Sequence, residues 1–302
     1  MSSIGSFNFA LHDYSISVGT RGGTLRSLRY FDRPLLEEFQ SWTSGNFFAG
    51  ALLAPWPNRI RDGRYEIHGT TYQLPINEVA RHNALHGLIY NLEWRKVKGP
   101  ESGISLETIL SPSDFYPSPL HFVVNYTLSK FGLIWTLSAT NIGNEKAPYG
   151  ASIHPYLVAD PKTGISEWNL KIPATQFLDV DKERLLPTSM KSCDDDGLLF
   201  SDGLLIGDLF IDHAFKIDRE LPNQRIELRS QNGSGVWMEF NDASNWIQVH
   251  TADRDGSSSG RRSMVIEPMS CPTDAFNSGT DLYWLHPQES HEMQWKIGAI
   301  SH

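Results

Sequence analysis

Apolar and polar residues alternate in short runs along most of this chain, with a period of two rather than the longer period of a helix. Tyr14 to Thr20, Leu120 to Leu128, Gly132 to Thr140, Arg225 to Ser230, Gly235 to Phe240, Trp246 to Thr251 and Met293 to Ile300 are rich in β-branched and aromatic residues and read as strands. Turn-forming clusters lie between such runs. Gly22-Gly23, Asp62-Gly63, Asn141-Ile142-Gly143-Asn144, Asn232-Gly233 and Asp255-Gly256 supply the positive φ or Asx geometry that a reversal needs. Two pairs of runs are close enough to form hairpins: Leu120 to Leu128 with Gly132 to Thr140, and Arg225 to Ser230 with Gly235 to Phe240. No long helical stripe interrupts the series, and the connections are too short and too polar for repeated βαβ crossovers. The pattern therefore predicts an all-β fold, a large and mostly antiparallel β-sandwich, rather than a doubly wound parallel sheet.

Composition narrows the partners. With 302 residues, 40% hydrophobic and 20% charged, the chain is an ordinary globular one with enough length for a sizeable core, which excludes disorder, collagen and coiled coil. Lys+Arg number 26 against 35 Asp+Glu, a net charge of −9 with no basic patch, so nucleic acid and anionic membranes are not expected partners. Two cysteines, Cys193 and Cys271, are too few for a disulfide framework and lack zinc-site spacing, and they read as reduced thiols. Met1 is followed by no basic and apolar leader, and the run from Phe47 to Trp56 is about half a membrane span, so a cytoplasmic location is expected. The triplets Asn125-Tyr126-Thr127 and Asn232-Gly233-Ser234 are accordingly not expected to carry glycans.

Three motifs fail on context. Gly256-Ser257-Ser258-Ser259-Gly260 matches a nucleophile elbow by its letters, but that motif needs a strand, a strained turn and a helix. Here a turn precedes it and Arg261-Arg262 follows, so it reads as a loop. His82 and His86 have the spacing of a helical metal pair, yet the glutamate of H-E-x-x-H is missing and Gly87 signals a turn, so no metal site is expected. Asp194-Asp195-Asp196-Gly197 lacks the alternating ligands and distal glutamate of a calcium loop and reads as a solvated turn.

Four stretches combine ionisable side chains with glycine, proline or aromatic neighbours. In Ala54-Pro55-Trp56-Pro57-Asn58-Arg59-Ile60, two prolines stiffen the backbone before Arg59. That arrangement either fixes a guanidinium for a ligand or makes a kinked surface loop with a salt bridge. In Asn83-Ala84-Leu85-His86-Gly87, the glycine allows a ligand to approach beside His86, or the histidine is a satisfied core residue at a turn. In Ser152-Ile153-His154-Pro155-Tyr156, the proline holds His154 extended at a strand end, as a proton donor requires, though lone histidines also serve structure. Val265-Ile266-Glu267-Pro268 ends an apolar strand on a carboxylate that is costly to bury unless paired or catalytic.

Taken in this order, the four segments resemble the aldose 1-epimerase (galactose mutarotase) family, and the similarity runs from about Ala49 to the C-terminus. The resemblance implies a galactose mutarotase-like supersandwich, one domain over residues 1–302, with the sugar in a cleft on a concave sheet and neither cofactor nor metal. It implies that Arg59 binds substrate, that His86 contacts the sugar near its ring oxygen, that His154 is the general acid and that Glu267 is the general base. The family's hydroxyl-binding aspartate is matched by Asp212 in Asp212-His213-Ala214-Phe215, which reads alternatively as a turn residue. Trp56 either offers an apolar face to the sugar or fills the core. Leu157-Val158 departs from the aromatic residue and asparagine that many members carry after the histidine motif. The flank Pro55-Trp56-Pro57 resembles one bacterial branch, and the motifs leave the sugar preference open.

The activity so implied is exchange of the α and β anomers of a free aldohexose such as galactose or glucose. Near pH 7 a carboxylate with a reference pKa of about 4.3 is ionised and an imidazole with one of about 6.5 is partly protonated, which suits Glu267 as base and His154 as acid. Three rivals use related chemistry. A hexose-6-phosphate 1-epimerase needs cations around a phosphate, for which Arg261-Arg262 is the one adjacent arginine pair. A non-catalytic carbohydrate-binding protein needs no acid and base, and a glycosidase needs paired carboxylates. The expected partner is a small monosaccharide, and the expected state a monomer or homodimer.

Overall fold

The structure, a computed structural model, describes residues 5–38, 48–253 and 261–301. The serine run 256–260, the Asp255-Gly256 turn and Phe47 lie outside the described residues. Each run read as a strand is one: Tyr14–Gly19, Leu120–Ser129, Gly132–Asn141, Ile226–Ser230, Gly235–Phe240, Trp246–His250 and Ser290–Ile300. Both expected hairpins pair antiparallel. Among the described residues the one α-helix is the four-residue Ala275–Ser278, and no helix is long and apolar enough to cross a membrane.

Two large sheets dominate. The first has nine strands, in the spatial order Arg95–Val97, Gly103–Leu110, Leu120–Ser129, Gly132–Asn141, Ser290–Ile300, Gly235–Phe240, Ile226–Ser230, Trp168–Lys171 and Leu204–Leu205. The second has six: Tyr156–Leu157, Met264–Met269, Trp246–His250, Asp212–Ile217, Ala174–Val180 and Pro187–Ser192. Side chains of both meet in one apolar cluster, Phe122, Trp135 and Trp295 from the first sheet with Phe177, Phe215 and Ile247 from the second. The molecule is an antiparallel β-sandwich. Leu120–Ser129 shows why its sequence was readable, since burial alternates at every position along the strand, as expected of a sheet wetted on one face. Met264–Met269 shows the opposite case. All six of its residues are buried, so it carries no alternation at all.

The six-stranded sheet places the chemistry. Successive side chains of a strand point to opposite faces. Phe215, Ile247, Val249 and Ile266 enter the sandwich core, and Asp212, Gln248, His250 and Glu267 therefore project from the other face. Gln248 pairs with both Ala214 and Glu267 across the sheet, and His250 pairs with Asp212, so these polar groups occupy adjacent rows.

Cys193 and Cys271 are buried and unpaired, and burial pushes both thiols up to about 12. His291, on the strand Ser290–Ile300, is 7% exposed against the rings of Tyr283 and Tyr149. Burial lowers its pKa to about 4, with Glu289 opposing. The unfolded chain, with an ordinary imidazole, binds that proton first as pH falls, so the native state loses stability between about pH 6.5 and 4. His291→Phe keeps a ring and removes the proton site. It should flatten that acid arm by about 3 kcal/mol in urea unfolding measured from pH 7 to 4. An unchanged arm would show that the imidazole already meets solvent.

Candidate active site

Arg59 and His86 arrive together because the strand Arg59–Arg61 pairs with Asn83–Leu85 in the register Arg59 to Leu85. The backbone N–H of His86 then donates to the Asn58 carbonyl at 2.9 Å. Asn58 and His86 both have positive φ, 56° and 62°, which swings the imidazole back over the amide of Asn58. That amide donates to His86 Nδ1 at 3.2 Å. Gly87 serves the backbone and not a ligand: a Cβ there would sit 2.1 Å from the carbonyl oxygen of Ala54, so the close approach expected beside His86 is made by the chain itself.

His154 lies between the short strands Ser152–Ile153 and Tyr156–Leu157, its amide bound to the Ala51 carbonyl at 3.0 Å. Its ring stands 5.1 Å from that of His86 and perpendicular to it, and 5.2 Å from that of Tyr156. Leu157 and Val158 point into the core, so the departure at these two positions leaves the wall beside His154 to Tyr156 and Phe48. Phe48 packs edge-on to His86 at 4.6 Å.

Glu267 is 2% exposed, and its Oε1 lies 3.4 Å from His154 Nε2. Its Oε2 has no hydrogen-bond partner among the described residues. Burial and then Asp212 push Glu267 well above the usual carboxylate range, with Arg59 opposing. Asp212 moves the other way. Burial raises it, but His250 and Arg59 outweigh that and hold it below its ordinary value. Gln248 Nε2 donates to Asp212 Oδ1 at 2.6 Å, and Asp212 Oδ2 is 3.8 Å from Arg59. Arg59 would lose its proton more readily on burial alone, yet Asp212 and Glu78 keep it raised. Glu78 takes both Nε and one terminal nitrogen of that guanidinium, at 2.9 and 3.0 Å.

Arg59, His86, His154, Asp212 and Glu267 are thus gathered on one face, Asp212 opening a strand and not a turn. Trp56 is a correction. It is 3% exposed within the apolar core, edge-on to Phe276 at 5.7 Å, because the proline-bracketed segment turns that ring inward. Glu78, Gln248, His250 and Phe48 were not found from the sequence.

His82 and His86, four residues apart in the sequence, stand in different surroundings: the His82 side chain is 67% exposed beside Asp62, while His86 is buried. His86, His154 and Glu267 do bring one donor atom each within 4.8 Å of one another. The proton on His86 argues against an ion there. Nδ1 accepts from Asn58, so in the neutral ring the proton sits on Nε2 and neither nitrogen offers a free lone pair. Burial, then His154, Arg59 and His250, lower His86 well below its ordinary pKa and keep it neutral.

The sequence model of the aldose 1-epimerase family matches residues 9–298. The chain belongs to the aldose 1-epimerase family. It is therefore an enzyme of the isomerase class, with mutarotation as its general chemistry. An uncharacterized protein of Escherichia coli K12, YihR, is 34% identical over 291 residues, covering 96% of this chain and 92% of its own. Galactose mutarotase of Rattus norvegicus is 28% identical over 51% of this chain and 45% of its own. A crystal structure of a putative aldose 1-epimerase from Escherichia coli K12 superposes with a TM-score of 0.84 at 21% identity, covering 98% of this chain and 99% of that one. Galactose 1-epimerase from Lactobacillus acidophilus gives 0.79 at 16% identity, over 99% and 100%. These two likenesses concern the fold.

Proposed function

We propose that this aldose 1-epimerase interconverts the anomers of a free aldohexose such as galactose or glucose, with Glu267 as base and His154 as acid. The observation that carries this reading is the buried imidazole–carboxylate pair, 3.4 Å apart, whose second carboxylate oxygen is unpartnered among the described residues. Glu267 takes the proton of the C1 hydroxyl; C1–O1 becomes a carbonyl while the bond from C1 to the ring oxygen breaks. His154 gives that ring oxygen its proton. The C1–C2 bond turns, and the same steps in reverse close the other anomer, returning both protons. His86, a neutral Nε2–H donor, stabilises charge on the ring oxygen as the bond breaks. Arg59 and Asp212 hold the remaining hydroxyls, which fixes the ring relative to the acid and base.

The raised Glu267 refines the expectation of an ordinary carboxylate. A base raised above the ordinary carboxylate range takes a hydroxyl proton more readily than an ordinary one, and the two carboxylates, Glu267 shifted up and Asp212 down by their surroundings, take different roles. A phosphosugar reading is disfavoured because Arg261 is already committed to Asp253 at 2.7 Å, Ser166 and the carbonyls of Leu209 and Gly207. Polarimetry of freshly dissolved α-galactose and α-glucose, with their 6-phosphates alongside and EDTA present, tests the proposal. Accelerated mutarotation of the free sugars is expected. No acceleration with any free aldose would overturn it.

A further inference from the structure

The hairpin Ala174–Val180 to Pro187–Ser192 forms the edge of the six-stranded sheet, and its tip reaches across to the ribbon that carries Arg59. Arg184, at the tip, donates from Nε to the carbonyl of Arg81 at 3.1 Å. Its terminal nitrogen donates to the carbonyl of His82 at 3.0 Å, to Asp62 at 2.8 Å and to the Oδ1 of Asn83 at 3.2 Å. The tip is itself braced, since the carboxylate of Asp181 accepts the backbone amides of Glu183, Arg184 and Leu186. Asn83 is fully buried. Its amide nitrogen donates at 3.0 Å both to the carbonyl of Arg184 and to Oε2 of Glu78. Backbone bonds in both directions between Glu78 and Asn83 fix the two residues to each other. Glu78 then grips Arg59.

We infer that the hairpin tip 181–186 is a latch that sets the position of Arg59, with Asn83 as the joint and Glu78 as the positioning carboxylate. The inference rests on the proposed role of Arg59 in holding the sugar. A guanidinium gripped on its Nε edge cannot swing, so its remaining donors are aimed before substrate arrives, and the tip supplies the fixed end of that chain. Arg184 and Glu78 touch no reacting atom in this scheme. Their loss should weaken sugar binding and leave proton transfer in place.

Mutarotation kinetics on Glu78→Gln, Arg184→Ala and Arg184→Lys, with thermal melts of each, test the latch. KM should rise about tenfold in Glu78→Gln and about fivefold in Arg184→Ala, with kcat changing less than about twofold in both. Arg184→Lys, which keeps the charge beside Asp62, should recover part of the KM. If the two residues serve folding alone, melting temperatures drop and kcat falls with the folded fraction at a wild-type KM, and the latch is overturned. A wild-type KM in both Arg184→Ala and Glu78→Gln overturns it as well. Wild-type protein without activity on any free aldose would instead remove the functional reading, and the latch with it.

Discussion

Glu267→Gln should lower kcat for mutarotation by about 10²- to 10⁴-fold, the contribution of one positioned proton transfer, without disturbing the fold. The substitution is nearly isosteric. It replaces a buried carboxylate by a neutral amide in a place where charge is costly, so the urea midpoint should stay level or rise. The same residue should govern the acid limb of kcat/KM. Below its pKa the base is protonated and activity is lost, and because burial and Asp212 push that pKa well up, the limb should lie above the ordinary carboxylate range. Asp212→Asn removes a raising charge and should move the limb to lower pH, extending activity into acid even as the overall rate falls. Polarimetric initial rates across pH on the wild type and both variants give the answer. Full activity in Glu267→Gln would remove this residue as the base. A limb at the usual carboxylate position, indifferent to Asp212, would show that Glu267 meets solvent.

The residues that were readable from sequence and those that were not differ for physical reasons. Leu120–Ser129 has one wet face and announces itself by alternation; Met264–Met269 is buried on both faces and does not. Glu267 was still found, because an acid at the end of an apolar run followed by proline needs an explanation. Gln248 gave no such signal. An amide inside a buried strand becomes meaningful only when the sheet register sets it between Ala214 and Glu267. Glu78 sits before a three-residue 3₁₀ turn whose sequence carries no sign of a partner at Arg59. Trp56 and Gly87 were ambiguous on paper. Each was resolved by its backbone surroundings, the first facing Phe276 and the second pressed on Ala54.

Arg59→Met is expected to cost about 3–5 kcal/mol of stability, because it strips the most deeply buried cation from this cluster. Arg59 and both of its carboxylate partners, Glu78 and Asp212, have side chains no more than 11% exposed. Asp212 is then left without a guanidinium and Glu78 with only the more exposed Arg81 at 3.4 Å; carboxylates so stripped must either protonate or draw in water, and each course is unfavourable in a site screened so little by solvent. The sign of the effect can be isolated by removing a partner as well. Arg59→Met with Glu78→Met replaces a gripped ion pair by apolar groups of similar length, which buried pairs often tolerate, and should regain about 2 kcal/mol of the loss. Neither variant should bind sugar normally, so stability and KM separate: the double change restores the urea midpoint and leaves KM high. A single variant within about 1 kcal/mol of wild type would show instead that the carboxylates are solvated, since exposed pairs are worth no more than that. Arg59 would then hold the sugar without being part of what holds the fold.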